Sequence, residues 1–146
     1  MKLSTRSRYG MRAVLELALE YGKGPLQINT IAQREGISNK YLEQLVAILK
    51  SSGLLKSVRG PKGGYLLAKP PTQVTLYEVF RVLEGPMDIV DCLVHEDFCP
   101  RCSDCITRQV WSKIANAMVD VLDSITLQDL AAESRAHQHK TVDYQI

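Results

Sequence analysis

The sequence predicts a mainly α-helical protein: a winged helix-turn-helix module followed by a long C-terminal helix suited to dimerisation. Three observations predict it. Two helical segments are separated by a tight turn at Gly36 and Ile37. Two short β-compatible runs follow at once, around a glycine-rich loop. A helix with a broad apolar face lies near the C-terminus, with no later domain to cover it.

Taken in order, residues 8–21 show helical periodicity. Val14, Leu17, Ala18 and Tyr21 fall at i, i+3, i+4 and i+7 and form one apolar stripe. Gly22, Gly24 and Pro25 stop this helix. A short helix is expected from Thr30 to Glu35, with Asn29 as N-cap and Gly36 just past its end. Ser38 then caps a longer helix through Ser52, with Leu42, Leu45, Ile48 and Leu49 turned inward. Leu54 to Val58 and Tyr65 to Ala68 read as strands joined by Arg59-Gly60-Pro61-Lys62-Gly63-Gly64. A hairpin behind a helix-turn-helix is a wing, so residues 1–69 read as one winged-helix domain.

Pro70 and Pro71 mark a boundary. Thr75 and Glu78 make a capping box for a connecting helix within 70–85, which Gly85-Pro86 ends. Residues 86–105 form a cysteine-bearing loop. A long helix follows from about Asp104 to Leu122, with Val110, Trp111, Ile114, Ala117, Met118, Val121 and Ile125 as its apolar face. So wide a face implies a partner chain, and a homodimer is expected through it. Thr126 caps a short terminal helix, giving a 106–134 segment, and the polar residues 135–146 read as a flexible tail.

Length and charge narrow the function. A chain of 146 residues with 45% hydrophobic and 23% charged residues supports one folded core. No apolar run reaches the ~18 residues of a membrane span. Leu3 is followed at once by Ser4, Thr5, Arg6, Ser7 and Arg8, unlike a signal peptide, so a cytoplasmic location is expected. The net charge is only +2. Residues 1–69, however, hold 12 Lys/Arg and 4 Asp/Glu, whereas residues 70–146 hold 6 and 12. The first half is thus basic and suits a polyanion.

The second helix of the pair offers Asn39, Lys40, Tyr41, Glu43 and Gln44 on its exposed face. Gln pairs with adenine and Glu accepts from cytosine in a major groove. Ser38 and Lys40 suit phosphate contact at the helix N-terminus. In the wing, Arg59 and Lys62 bring charge, and Gly60 and Gly63 let the backbone approach a minor groove. Arg6, Arg8 and Arg12 could reach phosphates from the first helix. Double-stranded DNA is therefore the expected partner.

Cys92, Cys99, Cys102 and Cys105 are spaced C-x6-C-x2-C-x2-C among Asp, Glu, Arg, Pro and Ser. In a reducing compartment a metal explains them better than disulfides. Four thiolates suit tetrahedral zinc, and C-x2-C-x2-C equally suits part of an iron–sulfur run. His95 and Asp104 are further donors.

Several segments resemble the IscR family of winged-helix bacterial transcription regulators that sense iron–sulfur clusters. They are Leu3 to Tyr9, Gly36-Ile37-Ser38, Tyr41 to Leu45, Ser57 to Leu67 (SVRGPKGGYLL), Cys105-Ile106-Thr107 with Trp111, and Ile125-Thr126-Leu127. The resemblance runs from residue 1 to about 130. It implies a homodimer on a pseudo-palindromic operator, with cluster state altering DNA choice or affinity. It matches Arg59 to a minor-groove arginine, and Glu43 and Gln44 to base readers. It adds Tyr9 beside Arg8 to the DNA-facing set. Cys92, Cys99 and Cys105 match three cluster ligands. The family's histidine three residues after the last cysteine is here Arg108, which stays protonated and is not a ligand. The aspartate ligand of a nitric-oxide-sensing branch is here Arg8. Cys102 is the best substitute for the fourth ligand, ahead of His95 and Asp104. The resemblance points to [2Fe–2S] ahead of [4Fe–4S].

Two rivals remain at this level. One keeps the winged helix and gives the cysteines structural zinc or thiol sensing. The other is a thiol enzyme or electron carrier using C-x2-C. No βαβ pattern surrounds the cysteines, no carboxylate pair faces a pocket and no nucleotide-binding glycine motif is present, so an enzyme is not expected.

Overall fold

A computed structural model describes residues 2–143, of which 141–143 are described by backbone alone. It contains six α-helices and one two-stranded sheet among the described residues. Helix α1 spans Thr5–Leu19, four turns that begin earlier than the apolar stripe alone suggests. Ser4 explains the early start. Its hydroxyl accepts from the Ser7 amide and satisfies a donor of the first turn. Tyr21 lies past the helix end and is exposed, so the stripe closes on Ala13, Val14, Leu17 and Ala18 instead.

Helices α2 (Ile28–Glu35) and α3 (Asn39–Ser51) form the helix-turn-helix pair. Gly36 ends α2 in the left-handed conformation, with φ 64°, a geometry that costs a glycine little. Ser38 caps α3 by accepting from the Tyr41 amide. Asn29 is not the cap of α2. The helix starts one residue before it, at Ile28, and Gln27 occupies the cap position without a side-chain bond.

Strands β1 (Leu55–Val58) and β2 (Gly64–Leu67) pair antiparallel, Leu55 opposite Leu67 and Val58 opposite Gly64. Leu26 adds a short bridge to Tyr65, with both main-chain bonds at 2.9 Å. The approach is so close that a β-carbon on Gly64 would overlap the Leu26 carbonyl.

Helix α4 spans Leu76–Glu84 behind its Thr75 cap, whose hydroxyl accepts from the Glu78 amide; the Glu78 carboxylate meets Lys69 at 3.4 Å, so only half of the expected capping box forms. Helix α5 runs Ile106–Asp123 and α6 runs Leu127–Asp143. The last helix is 17 residues long, where the sequence reading has a short helix and then a polar tail from residue 135. Leu127 and Ala131 anchor it in the core, and Arg135 donates to the Leu19 carbonyl at the end of α1. The intervening Ala, Glu, Gln and Arg residues are good helix formers, so polarity alone does not end the helix. The last three residues of that expected tail lie outside the described residues.

The core crosses the boundary drawn at Pro70. Val14, Ile31, Leu42, Val46, Leu49 and Leu67 of the first half pack with Val74, Val79, Leu83, Leu127 and Ala131 of the second. Each valine, leucine or isoleucine among them contributes about 1.5–3 kcal/mol when fully buried. Antiparallel bonds from the Leu76 amide to Ile125 and from the Leu127 amide to Val74, both 2.9 Å, stitch α6 to the segment before α4. The winged-helix module therefore completes its core with α4 and α6.

Candidate nucleic-acid interface and cysteine loop

The first turns of α3 and the wing loop present the charged and polar residues singled out above. Ser38, Asn39, Lys40, Glu43, Gln44, Arg59, Gly60 and Lys62 are all exposed. Arg8 is exposed on α1, while Tyr9 is half-buried. Tyr9 meets the half-buried Tyr41 edge-on, with ring centroids 6.1 Å apart and planes at 88°. Three predicted contacts take a different place. Gly63 is buried, and its amide donates to the Gly60 carbonyl at 2.9 Å, so it forms the wing turn beneath the exposed Gly60. Arg12 is committed to Glu35, which it meets through Nε, and to the face of Tyr9. Asn39 donates to the Asn29 side chain at 2.7 Å, tying the starts of α2 and α3 together.

A groove of about 420 Å³ separates the start of α2 from the wing and is lined by Gln27, Asn29, Ser57 and Arg59. Gln27 donates to the Pro61 carbonyl across it. Nothing local in the sequence marks Gln27, because its partner Pro61 is distant in the chain, and Asn29 is marked locally only as a helix cap.

On the far side of α1 and α2, Arg34 bridges Glu16 and Glu20 at 3.0 and 3.1 Å. Burial and the neighbouring Glu16 carboxylate raise the Glu35 carboxyl above its ordinary range, despite the opposing pull of Arg12. These ion pairs fasten α2 to α1 rather than facing a ligand.

The cysteines occupy the segment between α4 and α5. All four thiols are free. Cys102 is buried and the other three are half-buried. Cys99 and Cys102 line an open cavity of about 520 Å³ together with Glu96, Asp97 and Arg108. Cys105 is the N-cap residue of α5. The Thr107 hydroxyl, 3.2 Å from its sulfur, and the Arg108 amide hold this thiol below the ordinary cysteine range. The Arg108 guanidinium donates to the Cys92 carbonyl at 3.0 Å. Arg108 thus ties the Cys92 turn to the first turn of α5, the helix that Cys105 caps.

The donor chemistry suits a thiophilic metal or cluster, since four thiols share one loop and none is lost to a disulfide. The thiols are gathered but not converged. Among the described residues, no group of three or more His, Cys, Asp or Glu is arranged to hold a metal ion. His95 and Asp104 are exposed on the same loop.

The face of α5 predicted to be apolar is open. Ile106, Val110, Trp111, Ile114 and Val121 are exposed, and Ala115 is the one buried residue of the helix among those described. With Leu3, Phe80, Met87, Met118 and Leu122, Ile114 and Val121 line an entirely apolar groove of about 470 Å³. No helix among the described residues is long and apolar enough to cross a membrane.

The model of the Rrf2 family, described as iron-dependent transcriptional regulators, matches residues 3–133. The chain belongs to the Rrf2 family. It is 42% identical over 144 residues to the HTH-type transcriptional regulator CymR of Bacillus subtilis, covering 99% of both chains. The solved structure of that protein, titled the global cysteine regulator, superimposes with a TM-score of 0.78 over 91% of this chain and 98% of its own. The chain is 35% identical over 148 residues to the regulator IscR of Klebsiella pneumoniae, covering 97% of this chain and 90% of the relative. The structure of IscR from T. potens matches with a TM-score of 0.78 and 39% identity, over 94% and 91% of the two chains. The protein is thus a winged-helix Rrf2 transcription regulator, of a family that binds DNA, and its relatives are not enzymes.

Proposed function

We propose that this Rrf2 protein is a cytoplasmic, homodimeric, operator-binding regulator whose DNA binding responds to an iron–sulfur cluster held by Cys92, Cys99, Cys102 and Cys105. The observation that carries this reading is the confinement of all four free cysteines to one loop, with Arg108 tying its two ends together. A bound cluster supplies an iron centre whose charge and integrity change with redox state and iron supply. The chain's own residues do the rest. Arg108 holds the Cys92 turn against the first turn of α5, and Cys102 stands in for the histidine that the IscR resemblance places at 108. [2Fe–2S] is favoured over [4Fe–4S].

On the DNA side, α3 enters the major groove with Glu43 and Gln44 toward base edges, Arg59 enters the adjacent minor groove, and Arg8, Ser38 and Lys40 contact phosphates. The open apolar face of α5 packs against a second copy, so that two recognition helices meet a two-fold operator. Absorption spectra with iron and sulfide analysis of anaerobically purified protein test the cluster. Sedimentation tests the dimer.

One set of observations favours a second reading, in which the thiols themselves sense or hold structural zinc. The cysteines do not converge on a metal position, and the relative CymR is titled a cysteine regulator. The Cys105 thiol, lowered by Thr107 and Arg108, is then the reactive one. That protein is colourless and carries zinc or no metal.

A further inference from the structure

We infer that Glu84 is a positioning residue for operator recognition: its carboxylate locks the start of α1, and α1 in turn braces the recognition helix through Tyr9 and Tyr41. The inference rests on the reading of α3 as the recognition helix.

Glu84 is the last residue of α4, immediately before Gly85-Pro86 and the cysteine loop. Its Oε2 accepts from the Ser4 hydroxyl at 2.5 Å, from the Ser7 hydroxyl, and from the Ser4 amide at 3.4 Å. Ser7 is only 1% exposed, so its hydroxyl is shut off from bulk water; it meets the Ser4 hydroxyl at 3.2 Å and donates its own proton to Glu84. One turn later Gly10 faces Leu83, so closely that an added β-carbon would come within 2.5 Å of Leu83 Cδ1. Residues 4, 7 and 10 lie along one edge of α1. Glu84 and Leu83 therefore fix α1 in rotation as well as in position.

Another part of α1 carries Tyr9, whose ring edge meets Tyr41 in the first turn of α3. Arg12 lies 5.4 Å from the Tyr9 ring centroid and fastens to Glu35 at the end of α2. The helix is thus a brace between the residue that precedes the cysteine loop and the residues that enter DNA. Release of the Glu84 clamp loosens the first turn of α1, ahead of the part held by Val14 and Leu17 in the core, and Tyr9 holds Tyr41 less firmly. Specific binding needs α3 fixed in the groove. Non-specific binding needs only nearby positive charge.

The test compares two duplexes, one enriched by the wild-type protein from a random-sequence pool and one scrambled. Glu84→Ala is expected to lose about tenfold in affinity for the enriched duplex while the scrambled duplex and the salt slope stay unchanged. Glu84→Gln, which keeps an acceptor oxygen, is expected to lose less. In a double-mutant cycle Tyr9→Leu lowers specific affinity in the wild type and adds little to Glu84→Ala. Thermal unfolding confirms that each variant is folded; if Glu84→Ala is not, Ser7→Ala replaces it. An unchanged affinity for the enriched duplex, an equal loss on both duplexes, or additive losses in the cycle overturns the inference alone. A wild-type protein that enriches no sequence overturns the recognition-helix reading with it.

Discussion

Arg108 reaches back 16 residues to donate from Nε to the Cys92 carbonyl at 3.0 Å, from the first turn of the helix that Cys105 caps. A residue that cannot ligate a metal thus organises the loop that carries the candidate ligands. It also explains how a chain without the histidine at this position keeps Cys92 beside α5. Arg108→Ala removes the tether. The Val94 and His95 amides, which close the turn after Cys92 by bonding to Asp91, are expected to exchange with solvent faster. Global stability should fall by only about 1 kcal/mol, the usual worth of such a bond. Hydrogen exchange by mass spectrometry checks this, and unchanged protection in residues 90–96 contradicts the tether.

Removal of Arg59 tests the wing. Arg59 is exposed on the loop between β1 and β2. Arg59→Ala is expected to weaken operator binding by about 1–3 kcal/mol, more than it weakens binding to unrelated duplex. Fluorescence anisotropy with both duplexes measures it. Equal affinity for the operator before and after the substitution removes the wing from the interface.

Much of this architecture is legible in the sequence because it is locally encoded. Ser38, Gly36 and Thr75 announce helix ends within a few residues of themselves and all three act as expected, although Glu78, the other half of the expected capping box, turns its carboxylate to Lys69. Long-range pairings are not legible in that way. Ser7 reads as one more polar residue until Glu84, 77 positions away, supplies its partner. Arg12 reads as a free cation until Glu35 takes it. The length of α6 is missed for a related reason, since its outer turns are polar while Leu127, Ala131 and Arg135 tie it to distant parts of the chain. The cysteine spacing shows that a thiol-rich site exists, yet spacing alone leaves zinc and iron–sulfur open.

The Glu84 clamp carries a pH signature. Hydrogen bonds from Ser4 and Ser7 hold its carboxyl below the ordinary range in the folded chain. Its contribution to stability is therefore complete above the unfolded value of about 4.3 and is lost as pH falls through the lower folded value. Wild type should be more stable than Glu84→Gln at pH 7, with the gap closing as the pH drops below about 4. Denaturant unfolding at both pH values measures the gap. A gap that is constant with pH contradicts a stabilising role for the charged form.

Charge on the open face of α5 should prevent dimer formation. Ile114 is 39% exposed and borders the apolar groove. Ile114→Glu is expected to shift the protein to monomer in sedimentation while leaving its helical circular dichroism intact. A dimer that persists places the interface elsewhere.

Cys102 decides the ligand set. It is the buried thiol of the loop and lines the cavity beside Cys99. Cys102→Ala is expected to purify anaerobically with much less iron and sulfide than wild type. A normal cluster in this variant moves the fourth ligand to His95, Asp104 or an external thiol.

The most direct measurement is the visible absorption spectrum of anaerobically purified protein, taken with iron, sulfide and zinc content per chain. The account predicts brown protein with iron and sulfide in equal amounts, two of each per chain for [2Fe–2S]. Colourless protein carrying zinc, or no metal at all, contradicts it and leaves an Rrf2 regulator that reads its signal through the thiols themselves.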